Sequence, residues 1–131
     1  LGKVVICGVG LIGGSFALAL KSSLKARCPQ ILGLDRDRAA LEEALRLGVI
    51  DEIGVDWAST LQGAGLVLLG MPVGQMPATM QALVPHLETQ TLVTDGGSTK
   101  SDVIAAARSA FGDRIAQFIP GHPVAGAEKS G

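Results

Sequence analysis

The stretch "KVVICGVGLIGGS", Lys3 to Ser15, decides the fold. "KVVIC" is a short β-branched run and reads as a strand. Gly8-Val9-Gly10-Leu11-Ile12-Gly13 follows at once and fits G-x-G-x-x-G. "LIGGSFALALKSS" then reads as a helix with small residues on one face. A strand, a glycine turn and a helix in this order is the context that a dinucleotide-binding turn requires. In that reading Gly8 permits the tight turn, Gly10 lets a pyrophosphate approach the backbone, and Gly13 lets helix and strand pack closely. The helix start offers N–H groups and a positive dipole end to phosphates. Asp35 ends the next strand, "QILGLD" (Gln30 to Asp35), 22 residues past Gly13. A carboxylate there accepts hydrogen bonds from the adenine ribose hydroxyls and repels a 2′-phosphate, which favours NAD over NADP. Arg36 and Arg38 leave NADP possible, since a guanidinium covers a 2′-phosphate if Asp35 turns away.

The same alternation runs outward through the chain. "DRAALEEALRLG" is an amphipathic helix with Ala40, Leu41, Ala44, Leu45 and Leu47 on its apolar side and Gly48 as its stop. "VIDEI" (Val49 to Ile53) is a weak strand and "LVLLG" (Leu66 to Gly70) a strong one. "QMPATMQALVPHL" is a helix interrupted or ended by Pro85. "TLVTD" (Thr91 to Asp95), the helix "KSDVIAAARSAF" and the strand "IAQFIPG" (Ile115 to Gly121) complete the series. Repeated β-α order predicts a doubly wound, mostly parallel α/β sheet, as a single domain over residues 1–131.

Composition agrees. The chain has 131 residues, 47% hydrophobic and 18% charged, enough for a sizeable core and unlike a disordered segment. Aromatic residues are scarce, so the core must be aliphatic, as in buried parallel sheets. A net charge of −1 with scattered Lys and Arg gives no electrostatic case for nucleic acid or an anionic membrane. Val4 to Leu20 is apolar but glycine-broken and shorter than the ~20 residues a membrane span needs. Cys7 and Cys28 form no paired framework, which points to reduced thiols and a cytoplasmic protein.

In such sheets ligands lie beyond the carboxyl ends of the strands. Met71 and Pro72, in the rigid apolar Met71-Pro72-Val73, are suited to lie against a cofactor. "DGGSTK" brings two glycines close to a ligand and offers Ser98, Thr99 and Lys100, although a helix N-cap would also explain a hydroxyl. Gly121-His122-Pro123 puts an imidazole at a strand end; its near-neutral pKa suits a group that takes a hydroxyl proton as hydride leaves. His86, late in a helix beside Pro85, is structural or exposed. No metal is expected.

Together, "GVGLIGGS" (Gly8 to Ser15), "DGGSTK" (Asp95 to Lys100) and "GHPVAGAEKSG" (Gly121 to Gly131) resemble the prephenate and arogenate dehydrogenase family of tyrosine biosynthesis. The resemblance covers essentially the whole chain and implies a Rossmann-like NAD- or NADP-binding domain. It implies an oxidoreductase that decarboxylates prephenate to 4-hydroxyphenylpyruvate, or arogenate to tyrosine. Carried across, His122 hydrogen-bonds the ring hydroxyl and accepts its proton. Ser98 orients that hydroxyl, Lys100 lies near the substrate, and Glu128 and Ser130 belong to the loop closing the site. The family also carries a second, helical domain that makes a homodimer, so residues 1–131 are expected to be the N-terminal part of a longer enzyme. Two alternatives share the glycine turn: another NAD(P)-dependent dehydrogenase of the β-hydroxyacid or imine-reductase type, and a non-catalytic nucleotide-sensing domain. Neither calls for "HPVAG" followed by "EKSG".

Overall fold

Period-two burial on both faces sets the architecture. On the first strand Val5 and Cys7 enter one apolar cluster while Val4 and Ile6 enter another. Leu32 and Ile31, and Val67 and Leu68, divide in the same way. A strand buried on both faces must sit between two helical layers, and each such Val, Leu or Ile contributes about 1.5–3 kcal/mol by leaving water.

The computed structural model describes residues 2–96 and 100–121, with Leu11, Ile12 and Lys100 entering through their backbone. The strands are β1 (Lys3–Cys7), β2 (Gln30–Leu34), β3 (Glu52–Ile53), β4 (Leu66–Leu69), β5 (Leu92–Asp95) and β6 (Phe118–Ile119). The helices are α1 (Leu11–Leu24), α2 (Arg38–Arg46), α3 (Trp57–Leu61), α4 (Met76–Leu83) and α5 (Lys100–Phe111). All pairings are parallel and the strand order is β3-β2-β1-β4-β5-β6. Ala17 of α1 and Leu41 and Ala44 of α2 cover one face. Leu61, Met80, Leu83, Val103 and Phe111, from α3, α4 and α5, cover the other. The fold is doubly wound, and the order reverses between β1 and β4.

Several elements depart from expectation for local reasons. Only Leu41 and Ala44 of the α2 stripe are buried; Leu45 is 42% and Leu47 58% exposed. Leu47 lies past the helix end, and the two-residue β3 offers little surface for a wider stripe. β3 is short because the N–H groups of Val49 and Ile50 turn back to the Ala44 carbonyl, with Gly48 at φ +77°. α4 ends at Leu83 and a 3₁₀ turn, Val84–His86, carries Pro85; His86 is exposed. The strand expected from Ile115 is a 3₁₀ run up to Gln117. Arg114 holds it by donating to the carbonyls of Val84 (2.9 Å) and Leu87 (2.7 Å), and Gln117 by donating to those of Glu88 and Thr91. α3 was not foreseen at all.

Candidate functional site

The carboxyl ends of β1, β2 and β4 meet at the glycine turn. Gly8 has φ +87°, a region that favours glycine, and its N–H continues the ladder to the Leu34 carbonyl at 2.7 Å. A Cβ at Gly13 would run into the Gly8 carbonyl oxygen and come within 2.8 Å of Ile6 Cγ2. A Cβ at Gly70, just past β4, would come within 2.8 Å of that same oxygen. Two glycines therefore close on one carbonyl from α1 and from β4, which seats the helix on the sheet. Gly10 differs: a Cβ there would meet nothing within 4 Å, so it faces open space.

Gly10 is also the N-cap of α1. No side chain caps this helix and no acidic residue stands in its first turn. The first N–H groups of a helix have no intrahelical partner, and here they carry the positive dipole end toward the hollow in front of Gly10.

Asp35 stands across that hollow, half-buried. Its Oδ2 accepts from the Val9 N–H and its Oδ1 from the Asp37 N–H, both at 2.9 Å. Two backbone donors pin the carboxylate, and each oxygen keeps a lone pair for a ligand hydroxyl. Beneath it, burial and the charge of Asp35 push the Cys7 thiol up to about 12, so this cysteine is an inert wall. Arg36 is exposed beside the acid, whereas Arg38 turns to Glu42 at 3.1 Å.

A cleft of about 610 Å³ opens next to Asp35. Leu34, Trp57 and Met71 line it, together with Gln75, Ala78, Thr79 and Ala82. Those last four follow the i, i+3, i+4, i+7 spacing of a single helical face. A smaller hollow of about 370 Å³ adjoins it, lined by Gly8, Gly10, Gly70 and Pro72, and both share Asp35 and Arg36. The first suits a flat, largely apolar ring; the second, beside the uncapped start of α1, suits an anion. The structure brings Gly8, Val9, Gly10, Gly13, Asp35, Arg36, Met71 and Pro72 together around the two hollows, with Leu11 and Ile12 opening α1. Trp57, Gly70 and the α4 face were missed. Small residues at helical spacing in α4, and Asp56 three residues before Ser59 as an N-cap, were the available signals.

On the other side of the switch point, Asp95 ends β5 and is 3% exposed. Its Oδ1 accepts from the Gly121 N–H at 2.9 Å. Lys100 opens α5. His122, Ser98, Glu128 and Ser130 lie outside the described residues.

Comparison with known proteins gives this geometry a family. The family described as "Prephenate dehydrogenase, nucleotide-binding domain" matches residues 16–131. The prephenate dehydrogenase of Bacillus subtilis is 38% identical over 129 residues, covering 98% of this chain and 34% of that protein. The crystal structure of prephenate dehydrogenase from A. aeolicus, in complex with hydroxyphenyl propionate and NAD+, superposes with a TM-score of 0.83 at 33% identity, over 98% of this chain and 43% of that one. Synechocystis arogenate dehydrogenase gives 0.76 at 32% identity, over 92% of this chain and 40% of that one. The chain spans less than half the length of each of these relatives.

Proposed function

This chain belongs to the prephenate dehydrogenase family, matching its nucleotide-binding domain, and from that premise we propose that the whole protein is an NAD-dependent dehydrogenase of prephenate or arogenate. The observation that carries the cofactor is the pinned Asp35 facing an uncapped α1 across the glycine hollow. The residues fit a dinucleotide. The N–H groups at the start of α1 meet the pyrophosphate, Asp35 meets the adenine ribose, and the cleft beside Trp57 takes the adenine. A carboxylate held by two backbone donors does not turn away, so a 2′-phosphate meets its negative charge and NAD is preferred over NADP.

Bound there, the nicotinamide supplies the hydride acceptor. The rest is positioning and one proton. His122 accepts the proton of the ring hydroxyl, Ser98 orients that hydroxyl, Lys100 lies near the substrate, and Glu128 and Ser130 close the site. Carbon dioxide leaves and the ring becomes aromatic. We further place the chain as the N-terminal part of a longer enzyme that forms a homodimer through a helical domain, as the family resemblance implies. Among the described residues no helix is long and apolar enough to cross a membrane, and Cys7 and Cys28 are free; free thiols support a reducing, cytoplasmic setting.

The test mixes full-length protein with NAD and prephenate, then with NAD and arogenate, and follows reduced nicotinamide by absorbance. Signal with either acid supports the reaction and names the preferred substrate. Silence with both, also with NADP, overturns it and leaves nucleotide binding alone. His122→Asn should keep NAD affinity and lose rate; an unchanged rate would remove His122 as the proton acceptor.

A further inference from the structure

We infer that Asp95 is a positioning residue for the proposed dehydrogenase reaction: its buried carboxylate fixes the chain where it leaves β6, one residue before His122. The inference rests on the reaction proposed above, and its own ground is the geometry of β5 and β6.

The β5–β6 ladder is short. Val93 faces Phe118 and Thr94 faces Ile119, and pairing goes no further. Pro120 comes next and has no N–H to donate. Gly121 carries the first backbone donor beyond the ladder, and Asp95 Oδ1 takes it at 2.9 Å. A side chain thus does what the ladder no longer does. The acid is 3% exposed, and a buried hydrogen bond is costly to leave unmade. A second observation agrees. A Cβ on Gly121 would run into the Asp95 carbonyl oxygen and come within 3.1 Å of Thr94 Oγ1. The strand exit therefore lies flush on the end of β5, held by a carboxylate and admitted by a glycine. Asp95 also stands three residues before Ser98 in the chain. One carboxylate ties together the two segments that carry the proposed proton acceptor and its orienting hydroxyl.

A displacement of about 1 Å at a reacting group is enough for a rate loss of roughly 100-fold. The experiment compares full-length wild type with Asp95→Ala, Asp95→Asn and Gly121→Ala. It measures kcat, the KM for NAD, and folding by circular dichroism. Expected are a kcat loss of roughly 10- to 100-fold in Asp95→Ala, with the KM for NAD changed less than about threefold. Asp95→Asn keeps an acceptor oxygen and should recover most of the rate. Gly121→Ala should lose rate like Asp95→Ala, and the double variant should lose less than the sum of the two, because both disturb the Asp95–Gly121 contact. If Asp95→Ala does not fold, Gly121→Ala with Asp95 intact decides. A folded Asp95→Ala or Gly121→Ala with wild-type kcat overturns the inference while leaving the reaction standing. Equal loss in kcat and NAD binding, with no recovery in Asp95→Asn, also overturns it, since a general loss of structure would do that. Wild type silent toward both acids removes the reaction and this inference together.

Discussion

Helices α1 and α2 both begin beyond the carboxyl ends of neighbouring strands, and they begin differently. α2 is capped by its own chain: Asp37 accepts from the Ala40 N–H at 3.2 Å. α3, another short helix, repeats the device, with Asp56 accepting from the Ser59 N–H at 2.8 Å. α1 has Gly10 in that position and no cap. An aspartate cap is ordinarily worth about 0.5–2 kcal/mol, so α1 forgoes stability that its neighbours take. α4 also lacks a side-chain cap, so what sets α1 apart is that its open start adjoins the hollow lined by Gly8 and Gly10. In the function proposed above, the pyrophosphate oxygens would do for α1 what Asp37 does for α2.

The comparison can be broken by exchanging the solutions. Gly10→Asp puts a cap on α1 in a position where a Cβ meets nothing within 4 Å. The variant should be as stable as wild type or slightly more so in a thermal melt. Its NAD affinity should fall by about 100-fold or more, roughly 2.7 kcal/mol, because a carboxylate occupies the phosphate position. Retained affinity in calorimetry would mean that the pyrophosphate lies elsewhere. Gly13→Ala tests the seat of the same helix. Its Cβ would meet the Gly8 carbonyl oxygen, so stability should drop by about 1–3 kcal/mol, visible as a Tm lower by several degrees.

Asp35→Ala removes the acid across the hollow. NAD affinity should fall by about tenfold, near 1.4 kcal/mol, with the ratio of NAD to NADP affinity moving toward NADP. An unchanged ratio in parallel titrations would remove Asp35 as the discriminating group. Asp37→Ala should cost about 1 kcal/mol of stability and leave NAD affinity unchanged, the reverse of Gly10→Asp.

The smallest effect is in pH. The N–H of Ser59, then its hydroxyl, hold the Asp56 carboxyl below the ordinary aspartate range, against a small opposing effect of burial. A lowered folded value means that the cap's contribution is complete above the unfolded pKa and is lost as pH falls through the folded one. Trp57, the first residue of α3 and the chain's sole tryptophan, should report a change only in that acid range. Asp56→Asn, which caps without a charge, should abolish the change.

Strands with strong apolar runs were legible to within a residue or two: Lys3–Cys7 as expected, Leu66–Leu69 one residue short. The glycine turn and Asp35 were legible because glycine positions and a strand-end acid carry chemical reasons of their own. α3 was not, because at five residues it has too little periodicity to register. β6 was overestimated because Ile115 and Phe118 look like strand residues, whereas the distant contacts of Arg114 and Gln117 shape the segment. Gly70 and Asp95 stand at strand ends, and the sequence assigns neither of them a partner. Their work lies in contacts with Gly8 and Gly121, and no local pattern announces a partner 62 or 26 positions away.

The order of strands also sets a timetable. β1 is made first, yet it occupies the middle of the sheet, where Val4 waits for Leu66 and Cys7 for Leu69. Contacts so far apart in sequence close slowly. At a synthesis rate of ~5–20 residues per second, the growing chain spends several seconds with this apolar strand covered on one edge at most. The glycine turn shares that delay, because the Gly8 carbonyl has only one of its two glycine neighbours until Gly70 arrives. Ribosome-bound chains halted before residue 70 should therefore fail to retain NAD and be cut readily by protease. Chains extended past β6 should gain both properties together, so that the cofactor is the first partner able to tell a finished sheet from an unfinished one.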